Sequence, residues 1–476
     1  MQRFAQWIFF AVVVLAGVPE AFGASPDAGR PNVLLILADD LGYGDLSSYG
    51  AADLKTPNID ALVASGVRFD RFYANSPVCS PTRAALLTGC YPDLVGVPGV
   101  IRTHPDDSWG VLSPQAVLLP QVLKGAGYHT ALVGKWHLGL SGASLPSRRG
   151  FDLFHGFLGD MMDDYHNHRR HGINYMRRDD REIDPKGHAT DLFSQWAIDF
   201  LNESKGQDRP FFLELAYNVP HTPVQPPQEW LEKVRRRAPN LDPKRARLVA
   251  LIEHLDHGIG QVLAALRANG QAERTLIVFT SDNGGQLDAG AHCGPYRGGK
   301  QDMYEGGIRV PLCAVWPGRI EPGTRSDRVA VSMDLFPTLC EAAGARFEHP
   351  VDGISLLSTF QGHHNKAEPP IERDLIFVRR EGGPKYHGQD YYAVRRGDWK
   401  LVQNSPFEPF QLFHLGQDPR EEHDRSAKEL ATFNALGGVL KRHLQRAGTV
   451  PWQPPERAVA DKVLKSAAGH QESGSP

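Results

Sequence analysis

At 476 residues the chain is long enough to bury a large core, and its length suits two or three domains. A formal net charge of −3, from 52 basic and 55 acidic residues, excludes a surface that wraps a polyanion, so no nucleic-acid partner is expected. Five cysteines in a chain of this size exclude a disulfide scaffold.

The chain opens on a targeting segment. Arg3 precedes an apolar run from Trp7 to Val18, and Ala21-Phe22-Gly23 offers small residues spaced for cleavage. That run is shorter than the ~20 apolar residues of a membrane span. Residues 1–24 therefore read as a signal peptide, and the chain as exported without stable membrane insertion. Export permits disulfides, but pairing among Cys90, Cys293, Cys313 and Cys340 stays open, with buried free thiols the plain alternative.

Asn32 to Ala38 is a continuous apolar run, the mark of a strand buried on both faces of a parallel sheet. Asp39 and Asp40 follow at its C-terminal end, before the Gly-rich stretch 41–45. Ligands of open α/β sheets sit at that edge. Two adjacent buried carboxylates are costly unless a cation neutralises them, and a solvated turn is the alternative. Thr56 to Val63 reads as a core helix with a Thr cap and Pro at its first position.

Pro77 to Gly89 is a turn feeding a helix: Pro81 suits an early helical position, Ala84 to Leu87 propagate it, and Gly89 stops it. Cys79 then lies at the helix N-terminus, where the dipole favours an anionic sulfur, and Arg83 shares its face. A buried cysteine in a turn is the alternative. Gly127 to Gly139 is a strand running into a Gly turn, and period-two alternation puts Lys135 and His137 on one side. A cation and an imidazole facing one site suit an anionic, proton-transferring reaction, against a surface location for both.

Residues 160–190 are rich in His, Arg and Asp, but His166, His168 and His171 lack a zinc pattern, leaving a solvated or a substrate-facing loop. Pro210 to Tyr217 is a core strand, with His221 in the Pro-rich loop beyond it. Residues 244–269 form a long helix whose His254 and His257 read as packing or surface residues. Thr275 to Thr280 is another buried strand, ending in Ser281-Asp282-Asn283. Asp39, Asp40, Asp282 and Asn283 are all oxygen donors, which suits Ca²⁺ or Mg²⁺ rather than zinc. Lys300 follows a Gly pair that lets the backbone approach a ligand. Arg309 to Trp316 reads as a strand and Met333 to Ala343 as a helix. Short strands at 375–378, 391–396, 399–402 and 410–415 precede a helix at 427–446, and residues 456–476 read as a disordered tail.

The string Cys79-x-Pro81-x-Arg83, continued by Leu86-Leu87-Thr88-Gly89, resembles the sulfatase signature, closest to the arylsulfatase A and N-acetylgalactosamine-6-sulfatase type of the alkaline phosphatase superfamily. Gly134-Lys135-Trp136-His137 resembles the second signature of the same family. The resemblance implies an α/β fold with a large mixed, mostly parallel sheet flanked by helices. A small C-terminal antiparallel sheet with a packing helix completes it, the domains running 25–370 and 371–455. It implies that a formylglycine-generating enzyme oxidises Cys79 to formylglycine, and that Asp39, Asp40, the modified residue 79, Asp282 and Asn283 hold one Ca²⁺. Hydrated formylglycine would attack sulfur, with Arg83 holding it and Lys135 and Lys300 neutralising sulfate. His221 would act as general acid, and His137 would take the proton that frees the sulfate.

The reaction implied is hydrolysis of sulfate esters to alcohol and sulfate, with a sulfated saccharide as substrate and aryl sulfates as artificial ones. One alternative is a phosphate or phosphonate ester hydrolase of the same superfamily; a two-zinc version would need further His and Asp ligands that the sequence does not group. The other is a non-catalytic binder of sulfated glycans, if Cys79 stays unmodified. Oligomeric state is not legible in the sequence.

Overall fold

The computed structural model describes residues 29–362 and 373–451. The expected signal peptide, the tail and the expected boundary near 370 lie outside the described residues.

The first apolar run forms β1 (Asn32–Asp39), buried at every position because both faces of the sheet are covered. Nine strands join it: β2 (Val67–Phe69), β3 (His129–Lys135), β4 (Leu153–Phe157), β5 (Met176–Arg178), β6 (Arg181–Glu182), β7 (Phe211–Pro220), β8 (Thr275–Ser281), β9 (Leu312–Val315) and β10 (Thr324–Ser326). Their order is β10-β2-β9-β8-β1-β7-β3-β4-β5-β6. The central strands β8, β1, β7, β3 and β4 run parallel, and β9 and β5 turn antiparallel on either side. Ala38 pairs with Ser281, Asp39 with Pro220 and Gly134 with Ala216, so four neighbouring strands end at one level. That level is the ligand edge of the sheet.

The helices around this sheet include α1 (Pro57–Ala64), α2 (Cys79–Thr88), α3 (Ala189–Glu203) and α4 (Pro243–Ala268). Helices α3 and α4 pack on each other and on β7, while α2 packs against the helices Leu119–Gly125 and Leu335–Ala342. Asp242 caps α4 by accepting from the backbone N–H groups of Lys244 and Arg245, with Pro243 at its first position. The stretch expected as one strand from Arg309 divides instead. Arg309, just after the helical turn Glu305–Ile308, makes an isolated antiparallel bridge to Tyr73, and the strand proper begins at Leu312, beyond Pro311.

Residues 160–190 are more ordered than their composition suggests. Arg169–Arg170 pairs with Ile173–Asn174, and β5 and β6 extend the main sheet, anchored by the buried Tyr175 and Met176. Met162 and Tyr165 are buried too, but such scattered anchors in a polar stretch do not show as periodicity.

The C-terminal part is an antiparallel meander of β11 (Leu375–Arg380), β12 (Asp390–Arg396), β13 (Trp399–Gln403) and β14 (Gln411–His414), with α5 (Leu430–Ala447) packed on it. Its core of Phe377, Val394, Leu401, Leu412 and Leu436 is continuous with Tyr73, Met303 and Ile308. A buried ionic knot also crosses this join. Lys400 Nζ lies 3.1 Å from Glu305 and 2.9 Å from Glu421, and Tyr73 donates to Glu305 at 2.7 Å. All five cysteines are free. No helix among the described residues is long and apolar enough to cross a membrane.

Candidate active site

The ends of β8, β1, β7 and β3 deliver the predicted residues to one place. Asp39 closes β1, and Asp40 turns away with φ of +67°, a conformation Asp tolerates better than most residues. The Asp40 amide donates to Asp282 Oδ1 at 3.2 Å and the Leu41 amide to Ser281 Oγ at 3.0 Å, which pins the two strand ends together. Asn283 donates from Nδ2 to Asp40 Oδ1 at 2.8 Å. Its Oδ1 is buried and has no hydrogen-bond partner among the described residues.

Helix α2 begins at Cys79, follows an extended Val78, and stops at Gly89 with φ of +70°. Every residue of the helix is buried. Cys79 Sγ lies 3.3 Å from Asp39 Oδ1 and 3.8 Å from Asp40 Oδ1. One turn along, Arg83 donates to Asp282 Oδ2 at 3.0 and 2.8 Å and to the Lys135 carbonyl at 3.1 Å. Lys135 Nζ sits 2.6 Å from Asp39 and Lys300 Nζ 2.7 Å from Asp40. His221 Nε2 is 3.6 Å from the same Asp40 oxygen.

Electrostatics follows from this pairing. Burial alone would raise Asp39, but Lys135, His221 and Arg83 outweigh it and hold the carboxyl below its ordinary range. Asp40 is depressed in the same way, burial being overcome by His221 and Lys300. Asp282, next to Asp39, is raised by burial and by that neighbour. Against the pull of the helix dipole on an anionic sulfur, burial first and then Asp282 and Asp39 push the Cys79 thiol well above its usual range.

The alternation argument for Lys135 and His137 also needs correcting. The strand ends at Lys135, and His137 has φ of +58°, so side chains no longer alternate there. A backbone turn brings His137 in instead. Its Nε2 lies 2.8 Å from the Ile101 carbonyl, which makes that nitrogen the donor, and its buried Nδ1 has no partner among the described residues. Burial, Lys135 and Arg83 keep the ring far below its ordinary pKa and hence neutral, with a lone pair on Nδ1. His221 is oriented the other way: Nδ1 lies 2.6 Å from the Thr222 carbonyl, leaving Nε2 for the site.

The donor set fits a hard cation. Asp39, Asp40, Cys79 and His221 each place a ligand atom within 4.8 Å of the others; Asp282, held by Arg83 and the Asp40 amide, lies outside that group, and Asn283 reaches Asp40 with its buried Oδ1 unpartnered among the described residues.

Residues 31–345 match the family model for sulfatases. The chain belongs to the sulfatase family. Residues 298–447 of this sulfatase also match the model for the C-terminal part of N-sulphoglucosamine sulphohydrolase. It is 31% identical over 510 residues to N-acetylgalactosamine-6-sulfatase of Canis lupus familiaris, covering 96% of this chain and 93% of the relative. To arylsulfatase A of Homo sapiens it is 34% identical over 463 residues, covering 87% and 84%. The crystal structure of Ps i-CgsB in complex with k-i-k-neocarrahexaose superposes with a TM-score of 0.80 at 30% identity, over 92% of this chain and 98% of that one. The protein is thus a sulfuric ester hydrolase.

Several residues of this sulfatase escape sequence reasoning. Tyr165 donates its hydroxyl to the Asn218 carbonyl at 2.5 Å and the His221 carbonyl at 2.9 Å, fixing the loop that carries His221 from the His-rich segment. Arg379, at the end of β11, donates to the Gln301 carbonyl at 2.8 Å and so supports the turn of Lys300. Glu214, in the middle of β7, is buried beneath the site with Oε2 unpartnered among the described residues. A lone Glu within an apolar strand was the visible signal for the last; the first two have none, because their partners are distant backbone carbonyls.

Proposed function

We propose that this sulfatase removes a sulfate ester from a saccharide, using formylglycine made from Cys79 and one Ca²⁺ held by Asp39, Asp40, residue 79, Asp282 and Asn283. The observation that carries the reading is the position of Cys79 Sγ, 3.3 Å from Asp39, among three buried carboxylates and the ends of Lys135 and Lys300. When present, hydrated formylglycine supplies the nucleophilic oxygen and Ca²⁺ draws charge from the sulfate oxygens.

The chain's own groups do the rest. Lys135 and Lys300 enter from opposite partners, Asp39 and Asp40, and neutralise the remaining sulfate charge. As an imidazolium, with Nδ1–H on the Thr222 carbonyl, His221 would present Nε2–H to the leaving oxygen and protonate it; burial lowers its pKa, and Asp40 beside it opposes that lowering only in part. His137, neutral with Nδ1 free, accepts the proton whose loss expels sulfate. Arg83 anchors the first turn of α2 to Asp282 and so fixes residue 79. The saccharide assignment draws on relatives named for a galactosamine 6-sulfate and on a neighbour holding a carrahexaose. Two units divide the work in this proposal: 25–370 carries the chemistry, and 371–455 reaches the rim through Arg379. The chain is proposed to be exported and to meet a formylglycine-generating enzyme during maturation.

The test is peptide mass spectrometry across Cys79 on protein co-expressed with that enzyme. A loss of about 18 Da relative to cysteine marks the aldehyde, and aryl and sugar sulfates should then turn over. Unmodified thiol together with full turnover would refute the nucleophile assignment.

A further inference from the structure

The His-rich segment lacks a zinc pattern of its own, yet a second cluster forms just beyond it from residues far apart in sequence. His188 caps α3: its Nδ1 accepts from the Thr190 amide at 3.2 Å, and its Nε2 lies 3.0 Å from the Gln225 carbonyl. Asp191, three residues along, shares its helical face. From α4, His254 brings Nε2 to 2.6 Å from Asp191 Oδ1. One ligand atom from each of the three lies within 4.8 Å of the other two. The expectation that His254 is mere packing is therefore incomplete.

Three features favour a ligand over a simple cap. The two imidazoles are 3% and 2% exposed, whereas the Asp191 side chain is 57% exposed, so the cluster is walled by protein and open to solvent on one side. The Nε2–H of His188 is committed to the Gln225 carbonyl, so Nδ1, which accepts from the Thr190 amide at 3.2 Å, is the nitrogen that a cation would take over from the cap. Metal-bound histidines are oriented in this way by a carbonyl behind the ring. His254 Nδ1 is buried without a hydrogen-bond partner among the described residues, although a buried polar nitrogen ordinarily has one. His166, exposed, packs edge-on to His188 with ring centroids 5.2 Å apart, beside the open side.

We infer that His188, Asp191 and His254 form a second metal site, for a divalent transition cation such as Zn²⁺. Two imidazoles and one carboxylate suit that class, while the oxygen-only set beside Cys79 suits Ca²⁺. The site would act as a brace. Gln225, whose carbonyl orients His188, also accepts from the Tyr165 amide at 2.9 Å, and Tyr165 holds the His221 carbonyl. A cation here joins α3 to α4 behind the loop that carries His221.

The experiment titrates Co²⁺, as a coloured stand-in for Zn²⁺, into the full chain at saturating Ca²⁺. Wild type and Cys79→Ser should each bind one equivalent with the visible absorption of a low-symmetry site, displaced by Zn²⁺. His254→Ala should weaken binding at least about 100-fold and Asp191→Asn at least about 10-fold. Asp191 is exposed, so its variant tests the site even if His254→Ala fails to fold. Binding that vanishes in Cys79→Ser but survives in Asp191→Asn places the ion at the nucleophile and overturns the inference. So does an absence of Co²⁺ and Zn²⁺ binding to wild type, which leaves the trio as a helix cap with a packed neighbour.

Discussion

His221 has its two ring nitrogens committed differently, Nδ1 to the Thr222 carbonyl and Nε2 towards Asp40, so its proton can leave in only one direction. His221→Ala should lower kcat on a sugar sulfate by about 10²–10⁴-fold. On 4-nitrophenyl sulfate, whose leaving group departs readily as an anion, the loss should be far smaller. Equal losses on both substrates would remove the acid role from His221. Glu214 is the other telling residue. Burial raises its carboxyl to about 7, with Arg83 partly opposing, against an ordinary 4.5. A carboxyl raised on folding favours the folded state below its unfolded value, and that advantage is lost as pH climbs towards the folded one. Stability should thus fall by about 3 kcal/mol between pH 4.5 and 7 on this account. Glu214→Gln should flatten that part of the curve, so its urea midpoint should gain on wild type from pH 5 to pH 8. Parallel curves would show that Glu214 ionises in both states alike.

At the scale of elements, the strands and the helix of Cys79 are legible in the sequence for a physical reason. A strand buried on both faces has to be apolar throughout, so β1 and β8 stand out, and the polar residues at which each stops form the candidate site. The ionic knot under the C-terminal sheet is not legible. Glu305 and Lys400 are 95 residues apart, and no local period links them. The same holds for Asp191 and His254, 63 residues apart on different helices. Lys400, fully buried between Glu305 and Glu421, yields a prediction. Lys400→Met leaves both carboxylates without their shared cation and should cost about 3–5 kcal/mol, read from urea unfolding. A cost below about 1 kcal/mol would be the value of a surface pair and would contradict the burial.

For the whole molecule, adjacency in the sheet matters more than any one motif. Strands β8, β1, β7 and β3 lie side by side, although the chain visits them in the order β1, β3, β7, β8. Local patterns identify each strand but not its neighbours, so the meeting of Asp39, Asp282, His221 and Lys135 is a property of the assembled fold. An ion gripped by both β1 and β8 binds only that fold. Ca²⁺ at 100 times its Kd should add about 2.7 kcal/mol of stability; a chelator should lower Tm, and Ca²⁺ should restore it in wild type but much less in Asn283→Ala. A Tm indifferent to chelation would speak against the ion.

Cys79 is 3% exposed at the head of a helix with no exposed residue, and that sets an order of events. An enzyme that oxidises this thiol has to grip the chain around it, and the folded protein offers it nothing to hold. Under the proposed modification, maturation would be a race against collapse, won or lost once per molecule. A copy that folds first would keep its thiol and stay inert however much maturation enzyme is added later. Slowing folding in the cell should raise the active fraction, while treating the purified thiol form should not.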